Sequence, residues 1–216
     1  MRLTSGLAAA AAAAAMMLGG SAASAAIMIA TYTGTVSSGV DKIGMFGSSL
    51  AGEQFKAVFK YDTDGGVSDI TPTGAHAYGP GVMLDAYLEI NGLISHVPTG
   101  YYGSVQQSTA DVQHLSIYDD GAFQTYFYIG LFGVSPPLDL TDAYTRSSGE
   151  TSARWAKYNY STGQYDVELN LSSPTTLAVT TAAVPEPATW AMMILGFGLA
   201  GVGIRDSRRR RGVALA

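Results

Sequence analysis

The stretch Val82 to Ile90, VMLDAYLEI, restricts the fold more than any other in the chain. Val82, Leu84, Ala86, Leu88 and Ile90 fall on one face and Asp85, Tyr87 and Glu89 on the other, the period of a strand with one buried face. Asn91-Gly92 follows at once, the strongest short signal for a two-residue hairpin, and Leu93 to Val97 supplies the return strand. Further strand patterns run over Ile29–Val36, Gln54–Tyr61, Val112–Tyr118, Phe123–Phe132, Arg154–Tyr160, Tyr165–Leu171 and Thr176–Thr180. Asp119-Asp120-Gly121 and Ser161-Thr162-Gly163-Gln164 read as the turns between two of these pairs. No stretch between residues 27 and 184 keeps a 3.6-residue period for three turns, and no fixed repeat recurs. The expectation is an all-β body, an antiparallel β-sandwich, with a barrel as the lesser alternative.

Both ends of the chain differ from this body. The first 30 residues read MRLTSGLAAAAAAAAMMLGGSAASAAIMIA. A positive Arg2, an uncharged apolar run from Leu7 to Leu18 and the small-residue site Ala23-Ser24-Ala25 occur in the order of a secretory signal peptide. Residues 1–25 are therefore expected to be removed, leaving a body over 26–180. At the other end, a linker over 181–189 leads into an apolar span expected as a transmembrane helix over 190–204. Arg205 and Arg208 to Arg211 follow in a basic cytoplasmic tail over 205–216. The uncharged run from Ala188 to Ile204 would extend roughly 25 Å as a helix, the lower end of what crosses a bilayer. Trp190 suits the headgroup zone, and the arginines predict that the body faces away from the cytoplasm.

Charge is split accordingly. Residues 27–184 carry six Lys/Arg against fifteen Asp/Glu, a net −9, whereas residues 205–211 carry five Arg and one Asp, a net +4. An acidic body lacks the clustered cations that phosphate binding needs, which excludes nucleic acid as the expected partner. The absence of cysteine removes disulfides, thiolate metal sites and thiol nucleophiles from consideration.

Pro185-Glu186-Pro187, Ala188-Thr189, Trp190-Ala191, a span with Gly196, Gly198, Gly201 and Gly203, and the cluster Arg205, Arg208, Arg209, Arg210, Arg211 stand in a fixed order. This tail resembles the PEP-CTERM sorting signal in its PEPxxWA variant, a tail also catalogued as the C-terminal domain of ice-binding proteins. The resemblance implies a Gram-negative envelope protein exported by the Sec machinery and held transiently in the inner membrane. An exosortase would then process it near Pro185–Pro187 and release it to the cell surface or a biofilm matrix. In that family the tail is a substrate, so the resemblance carries over no catalytic residue and no activity of the body.

The body offers few chemical motifs. All thirteen tyrosines lie in it. Tyr101-Tyr102, in a loop flanked by Gly100 and Gly103, form the candidate sugar-binding pair, because a tyrosine ring stacks on a sugar while its hydroxyl hydrogen-bonds. Asp119-Asp120 reads as turn chemistry rather than an acid–base pair. His76, His96 and His114 lack metal-ligand spacing. The oxygen-rich DTDGGVSD, with Asp62, Asp64 and Asp69, has no glutamate twelve positions after its first aspartate and reads as a hairpin turn rather than a calcium loop. Thr31, Thr33 and Thr35 share one strand face, a single row without repeats. No cofactor, metal site or catalytic residue is expected. The expected role is structural or adhesive. Exopolysaccharide binding is the alternative, with a secreted hydrolase or an ice-binding protein further behind.

Overall fold

The computed structural model describes residues 27–148 and 150–182, together with Phe197, which is helical. The signal peptide, the span over 190–204 and the basic tail expected from the sequence lie outside the described residues, Phe197 excepted. Among the described residues no helix is long and apolar enough to cross a membrane. The strands belong to one unit, Ala25–Ala182.

Among the described residues twelve strands form in chain order: β1 (Ile27–Asp41), β2 (Gln54–Asp62), β3 (Val67–Thr71), β4 (Gly74–Gly79), β5 (Met83–Ile90) and β6 (Leu93–Val97), then β7 (Tyr102–Ser108), β8 (Asp111–Asp119), β9 (Phe123–Phe132), β10 (Tyr144–Ser148), β11 (Glu150–Asn159) and β12 (Gln164–Thr181). They join into one sheet in the order β3-β4-β7-β8-β9-β11-β12-β1-β2-β5-β6, with β10 pairing β12 beside that path. Every pairing is antiparallel. Hydrogen bonding thus defines a single sheet, where the sequence pattern led to the expectation of two. β12 binds these halves together. At 18 residues it pairs β1 along most of its length, from Met28↔Thr181 to Asp41↔Val167, while β11 and then β10 share its other side.

The sheet is strongly curled, as its side chains require. Phe59 on β2 stacks on Phe127 of β9 with ring centroids 4.6 Å apart. Along the sheet these strands are four steps apart, which in a flat sheet would be about 19 Å at ~4.8 Å per step. Tyr32 of β1 likewise reaches across to His114 of β8, hydroxyl to Nδ1 at 2.6 Å. Gly103 of β7 lies so close to Met83 of β5 that a Cβ at this position would overlap the Met83 side chain. The two halves of the sheet therefore face each other over one core. Trp155, Tyr32, Tyr61, Phe59, Phe127, Leu88, Ile129 and Leu169 are all under 2% exposed there.

The hairpin at Asn91-Gly92 forms as its residues demand, with φ of 55° and 75°, the left-handed pair of a type I′ turn. The alternation read over Val82–Ile90 needs correction. The register slips between Lys60 and Tyr61, which pair with Asp85 and Met83, so Leu84 is left out of the ladder. This bulge turns Met83 inward and leaves Leu84 38% exposed. The segments Tyr165–Leu171 and Thr176–Thr180 are one strand. β3, β4, β7 and β10 carry mostly small or polar residues, Gly74-Ala75-His76-Ala77 in β4 for instance, and their pattern was too weak to mark them. The turn within DTDGGVSD exists, but it joins β2 to β3, which do not pair, so it is not a hairpin turn.

Candidate functional site: the outer tyrosine face

Residues whose side chains leave the core on β7, β8, β9, β11 and β12 line up in rows across the sheet. One row runs Tyr102–Ile117–Tyr126–Ala156–Glu168, set by successive register pairs. Its neighbour runs Leu115–Tyr128–Arg154–Asn170. On the other side Asp119, Gln124 and Tyr158 align, and Tyr158 pairs with Tyr165 on β12. The alternation that buries Phe127, Ile129 and Trp155 forces Tyr126, Tyr128 and Arg154 outward.

The rings form a connected surface. Tyr158 meets Tyr165 edge-to-face at 5.1 Å and Tyr160 at 5.4 Å, and Tyr126 stacks loosely on Tyr128 at 6.4 Å. The Arg154 guanidinium lies 4.7 Å from the centroid of the Tyr165 ring and pairs with Glu168 at 2.7 Å. Burial opposes the Arg154 charge, but a hydrogen bond with Tyr165 and the Glu168 carboxylate outweigh it and raise its pKa. Ala156 is the one small outward residue in the middle of these rings. It floors a depression of about 110 Å³ walled by Gln124, Tyr126, Arg154, Tyr158 and Tyr165. At the margin the Tyr160 hydroxyl donates to Asp119 Oδ2 at 2.6 Å, and Gln124 Nε2 donates to the same oxygen at 3.4 Å. The Tyr160 bond holds the Asp119 carboxyl below its ordinary pKa and pushes the Tyr160 hydroxyl up to about 12. Partial burial raises Tyr126 and Tyr128. The face offers tyrosine rings, that of Tyr158 set at steep angles to those of Tyr160 and Tyr165, with an arginine, a glutamine and carboxylates at its edges. A tyrosine ring presents an apolar face for stacking and a hydroxyl for hydrogen bonding.

The pair singled out from sequence joins this face at its edge. Tyr101 is 51% exposed just before β7, close enough to Tyr160 for their hydroxyls to interact electrostatically. Tyr102 is not a loop residue. It opens β7, half-buried, and lies in the same row as Tyr126. Sequence reading missed Tyr126, Tyr128, Tyr158, Tyr160, Tyr165 and Arg154. The available signal was the strand alternation in QTYFYIG and RWAKYNY, with every second residue outward.

The other motifs stay apart. Asp119 and Asp120 each accept hydrogen bonds from amides of their own turn. His114 is in the core, His96 pairs with Asp85 at 2.9 Å, and His76 lies against the Tyr78 ring. Asp62 Oδ1 accepts from the Asp64 amide, whereas Asp69 is in β3. Among the described residues no group of three or more His, Cys, Asp or Glu is placed to hold a metal ion. Thr31, Thr33 and Thr35 share the outer side of β1, where Thr33 pairs with Thr176 and Thr176 with Ser147.

The family model described as the PEP-CTERM protein-sorting motif matches residues 183–210. A motif of this kind implies export through a membrane-anchored sorting intermediate that exosortase handles. No curated protein and no solved structure matches it.

Proposed function

We propose that this chain is an exosortase-sorted envelope or matrix protein, without catalysis of its own, whose body adheres to polysaccharide through the outer tyrosine face. The observation that carries this reading is the notch over Ala156, ringed by Tyr126, Tyr158, Tyr165 and Arg154. A glycan lying across the rows would stack sugar faces on the rings and hydrogen-bond to Arg154, Gln124 and the tyrosine hydroxyls. The Sec machinery delivers the chain, the inner membrane holds it while the tail is intact, and the host's own exopolysaccharide is the adhesive target.

The test compares retention on that polysaccharide between the native protein and the double variant Tyr158→Ser, Tyr165→Ser. Retention is expected to fall at least tenfold while the protein stays folded. Undiminished retention of the folded variant removes the adhesive face. The sorting reading has its own check in the intact mass of the mature protein from a host with exosortase. The mass should lack Arg208 to Arg211; a mature product that keeps them refutes processing of the tail.

A further inference from the structure

A second concave site lies on the opposite, inward side of the same strands. It lies at the end of the core where the edge strand β6 comes over β8, β9 and β11, a half-open cavity of about 150 Å³. Tyr118 and Phe123 give it aromatic walls, and Trp155 belongs to its lining. Trp155 is 1% exposed, yet its indole N–H has no partner among the described residues. A donor buried without an acceptor is costly, and native interiors rarely leave one so. Lys157 also lines the cavity, with Nζ 4.6 Å from the centroid of the Phe123 ring and no ion pair among the described residues. Asp120 lines it as well, its Oδ1 taken by the amides of Ala122 and Phe123.

These features define the ligand by elimination. A hydrocarbon ring would leave the Trp155 N–H and Lys157 unpaired. An anionic ligand would face the Asp120 carboxylate, and a cationic one Lys157. Besides the Lys157 ammonium and the Asp120 carboxylate the cavity carries the His96 imidazole, paired outside it with Asp85, the hydroxyls of Ser95 and Thr125, and aromatic walls. The volume is that of a site for a single six-membered ring. We propose that this cavity holds one neutral pyranose unit, a chain end or branch of a glycan, with Trp155 and Lys157 donating to its oxygens and its C–H face on Tyr118 or Phe123. The site is separate from the outer tyrosine face. Trp155 points into the core while its neighbours Arg154 and Ala156 belong to the outer face, so either site can fail without the other.

The full chain contains two tryptophans, Trp155 and Trp190. In the variant Trp190→Phe, indole fluorescence reports on Trp155 alone. Titration with the methyl glycosides of glucose, galactose and mannose should perturb it for at least one, with a Kd on the order of 1 mM. Lys157→Met should weaken that affinity about tenfold or more at an unchanged melting temperature, and Tyr126→Ser on the outer face should leave it intact. Trp155→Phe, followed by saturation-transfer NMR on the sugar, should lose binding. The proposal is overturned if none of the three glycosides perturbs Trp155, if Lys157→Met binds as well as the parent, or if glucuronate or glucosamine binds more tightly than the neutral sugars.

Discussion

Three tyrosines are buried in the core and seven, counting Tyr101 at the margin, lie on the outer face, and the two sets behave as different residues. Tyr32, Tyr61 and Tyr144 are under 10% exposed, and burial pushes each hydroxyl far above its ordinary pKa. Each hydroxyl has a partner: His114 Nδ1 for Tyr32, the Leu140 carbonyl for Tyr61, and the amide of Gln107 for Tyr144. Outside, Tyr160 is 44% exposed, and Tyr126, Tyr158 and Tyr165 stand half-buried around Ala156. The inner set holds the curl closed, and the outer set is spare capacity for contact. A tyrosine's role here follows from which side of the pleat it occupies.

The sharpest way to break this comparison is to remove a ring from the inner side. Phe59→Ala deletes the stack on Phe127 and the floor beneath His114. It should cost about 3–5 kcal/mol, measured by denaturant unfolding; a loss under 1 kcal/mol would mean the two halves of the sheet do not depend on this contact.

Acid comes next. His114 is fully buried, and burial lowers its pKa from 6.5 to about 3. It stays neutral in the folded body, whereas the unfolded chain takes up a proton below pH 6.5. Stability is therefore fully present above pH 6.5 and falls as pH drops towards 3, by about 1.4 kcal/mol per unit at most. Unfolding free energies measured between pH 6.5 and 4.5 should show this slope, and His114→Leu should flatten it. An equal slope in both proteins would place the proton uptake elsewhere.

Smaller still is the loss of a single inner hydroxyl. Tyr32→Phe keeps the ring but leaves His114 Nδ1 without its partner, so a cost of about 1–3 kcal/mol is expected in thermal melts. The outer counterpart has the least effect. Tyr160→Phe should leave the melting temperature where it is, and its reading is local: the Asp119 carboxyl, freed of its hydrogen bond, returns upward towards the ordinary range in an NMR titration. A melting shift as large as that of Tyr32→Phe would erase the distinction between the two sets.

How much of this was legible beforehand depended on how strongly each segment alternates. Phe123–Phe132 was bounded correctly because large apolar residues fall at every second position, and Asn91-Gly92 marked its turn because few dipeptides accept two left-handed residues in succession. β4 and β7 escaped notice because Ala75, Ala77 and Gly103 bury little side chain and leave almost no apolar signal. The bulge at Leu84 could not be seen, since a one-residue slip is set by the partner strand rather than by the residues that slip. The candidate site was half-visible. Tyr101 and Tyr102 drew attention by being adjacent. The larger face is assembled from β9, β11 and β12, and their neighbourhood is a property of the sheet order alone.

The pairing of β1 with β12 also sets a timetable. A chain exported amino-end first delivers β1 at the start and β12 at the end, and Met28 must find Thr181. One margin of β1 can join β2 promptly, but the other stays open until nearly the whole body has crossed, an arrangement that makes folding slow and late. The sorting motif begins at residue 183, immediately after the strand that completes the sheet. The body can therefore close only when the motif is itself emerging. A domain that folds no earlier than its address label appears is complete at about the moment the label can be read.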